Sequence, residues 1–316
     1  SRGFRHDALQ HITDLGSKHP KAKLLGTRWA TEPSSELLIP KVAEAEFEEI
    51  KEKLPEDEAA WFYHAAYLDQ LLNEQMASRR SSGAAGGVSA DGAGETPKAK
   101  AAAKAVAKAA PSSRSQPNAG VCPFDLKKLV LFTVRGYLQA LHRGNKRIHL
   151  ILNRVLQIAW DCCELDLHKQ DALGEIDRQS ATMEPWMWYM VLPQLISRVH
   201  HQEMGPLFQK LVTSVLAKYP HHAFWHATQL LRSQITERHR LGCKIANHVA
   251  RQDRTVHELM CVYHFIAADL NDLATHNPPD GHSHMSLQKS FPKLVGMGGS
   301  RNSNSRHTWK ILVPLQ

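Results

Sequence analysis

The sequence predicts an all-α fold: an α-solenoid of TPR/HEAT-like helical hairpins interrupted by a disordered insertion. Three observations predict it. Apolar side chains recur at three- and four-residue spacing along most of the 316 residues, the period of one helix face. Prolines, glycines and acidic residues punctuate these stripes at short intervals, where helices start and stop. One stretch, 77–121, lacks large apolar side chains almost entirely and cannot bury enough surface to offset its ordering entropy.

In the N-terminal part, 1–76, His6–Leu15 reads as the end of one helix and Lys21–Glu32 as a second, with Leu24, Leu25 and Trp29 on one side. Pro40 opens the next at its first turn, and Val42, Phe47, Ile50 and Leu54 give it an apolar side. Pro55 interrupts, and Glu56-Asp57-Glu58 puts negative charge at the following helix N-terminus, where the helix dipole favours it. That helix carries Trp61, Phe62, Ala65, Leu68, Leu71 and Leu72.

The insertion 77–121 reads as a solvated spacer whose Ala/Lys core favours transient helix. Contact of Lys98, Lys100, Lys104 and Lys108 with phosphates or acidic proteins is the alternative. The helical pattern resumes over 122–275. Asp125 precedes a stripe from Leu126 to Leu141, and Gly144 ends it. Ile148 to Trp160 follows. Pro185 starts another stripe, Trp188 to Val199, which Pro193 should kink or split. Leu207 to Leu216, Phe224 to Leu231, Leu241 to Val249 and Leu259 to Leu273 complete the array, roughly ten helices of about 12–18 residues by periodicity. Residues 276–305 read as a polar loop, and Trp309 to Val313 as a short strand without a partner.

The composition, 42% hydrophobic and 22% charged, is that of a globular chain and not a disordered one. No apolar run approaches the about 18 residues of a membrane span. No apolar stretch follows the first six residues as a signal peptide requires, and the absence of an initiator Met reads as a piece of something longer. Cys122, Cys162, Cys163, Cys243 and Cys261 are odd in number and irregularly spaced, which predicts reduced thiols and an intracellular setting. Of the formal charge of +8, the segment 77–121 holds +5 (seven Lys/Arg against two Asp/Glu), which leaves +3 elsewhere. The charge therefore does not indicate a nucleic-acid groove in the folded parts.

No motif in the sequence marks a catalytic, cofactor-binding or metal residue. His222 and His226 are four apart and share a helix face, but no third ligand is evident, and His200-His201-Gln202-Glu203 does not fit H-E-x-x-H. These histidines read as surface or capping residues. Cys162-Cys163 are adjacent, unlike C-x-x-C, and read as packing residues. No phosphate-cradling G-x-x-x-x-G-K-S/T occurs; Gly296 to Arg301 lacks the last glycine of G-x-G-x-x-G, there is no D-F-G, and His142-Arg143-Gly144 lacks the Asp of H-R-D. Trp186, Trp188 and Tyr189, with Trp160 and Trp225, read as packing between repeats, with a base-stacking platform as the alternative.

The run from Glu184 to His201, with Pro193-Gln194-Leu195-Ile196-Ser197-Arg198 at its centre, resembles a FAT-domain signature of the PI3-kinase-related protein kinases. The turn Tyr219-Pro220-His221-His222-Ala223-Phe224-Trp225 follows one helix later, an order closest to the ATR checkpoint-kinase branch. Leu54-Pro55 through Trp61-Phe62-Tyr63 and Tyr67-Leu68-Asp69, Phe132 to Leu141, and Leu152 to Trp160 resemble further helices of that domain. Ile311 to Gln316 resembles the segment that precedes the kinase N-lobe. The insertion departs from the family pattern. The resemblance implies a solenoid scaffold supporting a kinase domain beyond Gln316, in a non-specific serine/threonine kinase of DNA-damage and replication-stress signalling. It implies a nuclear location, an ATRIP-like partner, a homodimer and no membrane, with ATP and magnesium held outside this chain. The runner-up is a free-standing TPR/HEAT-like protein-interaction module. A nucleic-acid binder working through Lys98 to Lys108 comes third, and a hydrolase last, because no nucleophile–base pair can be named.

Overall fold

The computed structural model describes residues 19–32, 40–84 and 124–275, with residues 11–12, 15–16, 286 and 289 besides. Among the described residues there are twelve helices and no strand, so the fold class is all-α. No described helix is long and apolar enough to cross a membrane. The chain divides into two compact units, residues 1–143 and 144–316.

The first unit holds α1 (Pro20–Ala30), α2 (Pro40–Lys53), α3 (Glu58–Ala84) and α4 (Leu126–Arg143). Pro20 and Pro40 sit at first helical positions, where a missing N–H costs nothing. Asp57 starts α3 by accepting the Ala59 N–H on Oδ1 at 2.8 Å, the expected acidic start. The buried stripe of α2 is Ala43, Phe47 and Ile50, while Val42 is 46% exposed. The apolar side expected at Val42 is therefore rotated by one residue, because Ala43 lies in line with Phe47 at i, i+4.

Helices α3 and α4 form the main pair of this unit. Gln75 donates to the Phe124 carbonyl, Tyr137 Oη to Asp69 Oδ2 at 3.0 Å, and Arg143 to the Pro55 carbonyl. These pairings run in opposite directions along the chain, so the helices are antiparallel. Their backbones approach closely at Gly136, where an added Cβ would lie 3.0 Å from Ala65 Cβ. Helix α3 runs to Ala84, eight residues past the boundary of 76 expected for the insertion. Residues 77–81 are exposed and polar or small, so burial does not carry the extension. The rest of the insertion, and the segments 276–305 and 309–313, lie outside the described residues apart from 286 and 289.

The second unit holds α5 (Ile148–Glu164), α6 (Lys169–Ser180), α7 (Pro185–Tyr189), α8 (Leu192–Ser197), α9 (Gly205–Lys218), α10 (Pro220–Leu231), α11 (Thr236–Gln252) and α12 (Arg254–Thr275). Pro193 splits the Pro185–Val199 stripe into α7 and α8, because it has no N–H to continue the ladder. Helix α9 packs against α6, α7, α8, α10 and α11, and its Phe208, Leu211, Val212, Val215 and Leu216 are all buried. Helix α10 packs on α11 and α12. An added Cβ on Gly242 would lie 2.7 Å from Leu230 Cβ and 3.0 Å from its carbonyl carbon. Only glycine admits this approach of α11 to α10.

Two substitutions test this packing against a surface control. Phe208→Ala is expected to cost about 3–5 kcal/mol, a large aromatic deleted from a closed site. Gly242→Val is expected to cost about 1–3 kcal/mol through overpacking. Leu150→Ala, at a 60%-exposed position, should stay within about 0.5 kcal/mol. Urea unfolding followed by circular dichroism gives all three values, and equal midpoints across the set would contradict the assigned core.

Candidate interaction surface

The second unit carries a groove where α9 and α11 lie side by side. The buried face of α11 is Leu241, Gly242, Ile245, Ala246 and Val249. Its outward residues Lys244, Asn247, His248 and Arg251 fall at i, i+3, i+4 and i+7, a second stripe at helical spacing. With Lys210 and Thr213 of α9 they line an open groove of about 590 Å³, floored by the buried Ile245. No lining residue is acidic. Lys210 is held from outside by Asp177 Oδ1 at 2.5 Å, and Gln252 lies 3.1 Å from the His248 ring. Lys244 and Arg251 are exposed. A concave surface with cations and amides favours carboxylate- or phosphate-bearing partners and repels cationic ones. Sequence reading passed over it, although the spacing of Lys244, Asn247, His248 and Arg251 was the available signal.

The residues singled out by sequence have structural surroundings. Tyr189 meets His222 and His226 edge-on, at 6.1 and 5.9 Å between ring centres. Burial lowers the His226 pKa, which keeps the ring neutral in this aromatic cluster. Among the described residues no third ligand joins the two histidines. His201 Nδ1 accepts the N–H groups of Glu203 and Met204 at 3.2 and 3.3 Å, just ahead of α9, and its ring lies against Trp160. Arg198 also meets this indole, its guanidinium 4.7 Å from the Trp160 ring centre. Trp188 is 1% exposed, and Trp225 meets Tyr263 edge-on at 4.9 Å. The aromatic residues thus join neighbouring helices and do not form one open platform. Arg143 of the His142-Arg143-Gly144 run lies 4.1 Å over Trp61. Lys98 to Lys108 and Gly296 to Arg301 lie outside the described residues.

Cys162 is fully buried, and burial pushes its thiol up to about 12, with smaller contributions from Cys163 and Asp161. Burial, followed by Glu203, also raises the Cys163 pKa. Neither is a nucleophile at neutral pH, since the thiolate is the reactive form. At pH 8, iodoacetamide is expected to label the exposed Cys261 and to spare Cys162 until the chain is unfolded. Peptide mapping reads this directly, and equal labelling rates at the two positions would contradict the burial assigned to Cys162.

Residues 171–266 match a family model described as the HEAT repeats of ATR-like serine/threonine-protein kinases. The chain is 27% identical over 132 residues to the serine/threonine-protein kinase ATR of Oryza sativa subsp. japonica, covering 37% of this chain and 5% of that protein. It is 28% identical over 130 residues to the serine/threonine-protein kinase MEC1 of Candida albicans, covering 38% of this chain and 6% of that protein. The ATR kinase of Arabidopsis thaliana is 26% identical over 124 residues, 34% of this chain and 5% of that protein. The chain thus spans about a twentieth of the length of these relatives. The matched family segment, 171–266, runs from α6 into α12 and contains the whole of the α9–α11 groove, so over this segment the chain is similar to the HEAT repeats of ATR-like kinases.

Proposed function

We propose that the chain is a FAT-type scaffold segment of an ATR-like serine/threonine kinase, acting in the nucleus in the DNA-damage and replication-stress checkpoint. The observation that carries the reading is the match of 171–266 to the HEAT repeats of ATR-like kinases, on the same residues that hold the FAT-like motifs from Glu184 to His201 and from Tyr219 to Trp225. The geometry suits a mechanical task. Helices α7 to α12 are joined by buried apolar and aromatic contacts, so a displacement at one hairpin is carried to the next by packing. In the proposed parent such an array restrains the kinase domain, and regulation shifts its arrangement. ATP and magnesium belong to that kinase domain. An ATRIP-like partner and a second copy of the kinase are the proposed associates, and the basic α9–α11 groove is a surface on which an acidic partner segment would fit.

The test has two arms. The transcript read past codon 316 is expected to continue in frame into a protein-kinase domain, whereas a stop codon there favours a free-standing interaction module. The purified chain is expected to bind no ATP and to phosphorylate no peptide in the presence of magnesium. Phosphotransfer by this chain alone would overturn the reading.

A further inference from the structure

The first unit brings together three ligand-type side chains that the scaffold reading leaves unused. Glu44 and Glu48 are one helical turn apart on α2, so their carboxylates share a face. Helix α3 sets His64 opposite them, with its ring stacked on Phe47 at 5.2 Å and 18°. One oxygen from each carboxylate and one ring nitrogen of His64 all lie within 4.8 Å of one another. His64 is 5% exposed, and its Nε2 is buried without a hydrogen-bond partner. Its Nδ1 lies 3.9 Å from Glu48 Oε1, beyond hydrogen-bond length. Glu44 Oε2 is likewise buried and unpartnered. Unpartnered buried polar atoms on two members of one small cluster are costly, and a bound cation would give the cluster's converging donor atoms the partner that hydrogen bonds do not.

We propose that Glu44, Glu48 and His64 bind a divalent transition-metal ion, of the zinc class, that clamps α2 to α3. The donor set is one imidazole nitrogen and two carboxylate oxygens, which suits zinc and its neighbours. Magnesium and calcium are served by all-oxygen sites. A zinc ion with ligands at about 2.0–2.2 Å requires the three donors to contract, and the half-exposed Glu48 can swing to do so. A water completes the fourth position, as in other three-ligand sites. Burial, aided by Lys51, holds the His64 pKa down to about 3, so the imidazole is already in its ligating, neutral form. The other group facing the cluster is Lys51, bonded to Glu48 Oε1 at 2.7 Å and 4.7 Å over the Trp61 ring. On metal binding it exchanges the carboxylate for the ring face and solvent. Lys23 and Lys53 pair with Glu49 and do not compete.

The full chain, stripped with EDTA and dialysed, is titrated with cobalt(II) and then with zinc. The expected result is a visible d–d absorption of tetrahedral cobalt, abolished by one equivalent of zinc, and a rise in thermal midpoint with zinc. Glu48→Gln, with its own metal-free midpoint taken as the baseline, should weaken the spectral titration at least about tenfold. His64→Gln is expected to remove the signal altogether, provided its far-UV spectrum matches the parent chain. A cobalt spectrum that is octahedral, or that survives Glu48→Gln unchanged, assigns the metal to other histidines and overturns the proposal. A chain that gives no spectrum and no zinc-dependent midpoint shift overturns it as well.

Discussion

A helix in a stacked array cannot cover its own apolar stripe, and in the second unit this constraint converges on α9. Its Phe208 and Val212 are closed off completely, and it is packed on by α6, α7, α8, α10 and α11. Each large apolar side chain buried there contributes about 1.5–3 kcal/mol relative to exposure, but only while all of its neighbours are in place. The stability of each surrounding helix is therefore conditional on its neighbours, which is the physical meaning of a repeat array. The approach of α11 to α10 at Gly242 and Leu230 belongs to the same constraint, because only a small residue lets the next helix come close enough to close the core. In the first unit the antiparallel pair α3–α4 has the corresponding role, with Gly136 against Ala65 and the buried Tyr137–Asp69 hydrogen bond fixing its register.

The punctuation of this fold was legible because proline and acidic residues act locally. Pro40, Pro185, Pro193 and Pro220 each start or split a helix, for a reason confined to one residue's φ angle and missing N–H. Helix α6 was not anticipated. Its apolar stripe is only Ala172 and Ile176, and the rest of its buried side is Glu175 and Gln179. Those polar groups are buried because Arg178 pairs with Glu175 and Gln179 donates to it, a local network that hydropathy cannot register. The stop of α5 was equally silent. Leu167 N–H returns to the Cys162 carbonyl and Asp166 N–H to that of Cys163, with Asp166 at φ 52° in the place where glycine usually stands. The displacement from Val42 to Ala43 has another origin, since a small residue between two large ones carries little weight in an apolar pattern yet decides which way the helix faces.

The motifs that carry the family resemblance turn out to be packing motifs. Trp188 is buried, Gln194 donates to Asn153 of α5, Arg198 stacks on Trp160, and Trp225 packs on Tyr263, whose hydroxyl donates to the His221 carbonyl. An identity of 26–28% accompanies the match of 171–266 to a repeat family, and a stacked array needs such contacts to hold one hairpin against the next. Such residues report the fold and its ancestry, and they report nothing of what the outer surface does.

The surfaces with chemistry of their own are found elsewhere, and for different reasons. The α9–α11 groove is built from the outward stripe of α11, whose positions are free of packing duty because Leu241, Ile245 and Val249 already meet the core. Its basic character is therefore a property that packing does not require. The Glu44–Glu48–His64 cluster is the opposite case. His64 is part of the core through its stack on Phe47, and a buried imidazole without a hydrogen-bond partner works against stability where a phenylalanine or leucine would not. Twenty residues separate Glu44 from His64 in sequence with a helix boundary between them, so no spacing rule joins them. Only the fold brings them together, and a buried polar group in an otherwise apolar contact is the physical reason to look for an ion there.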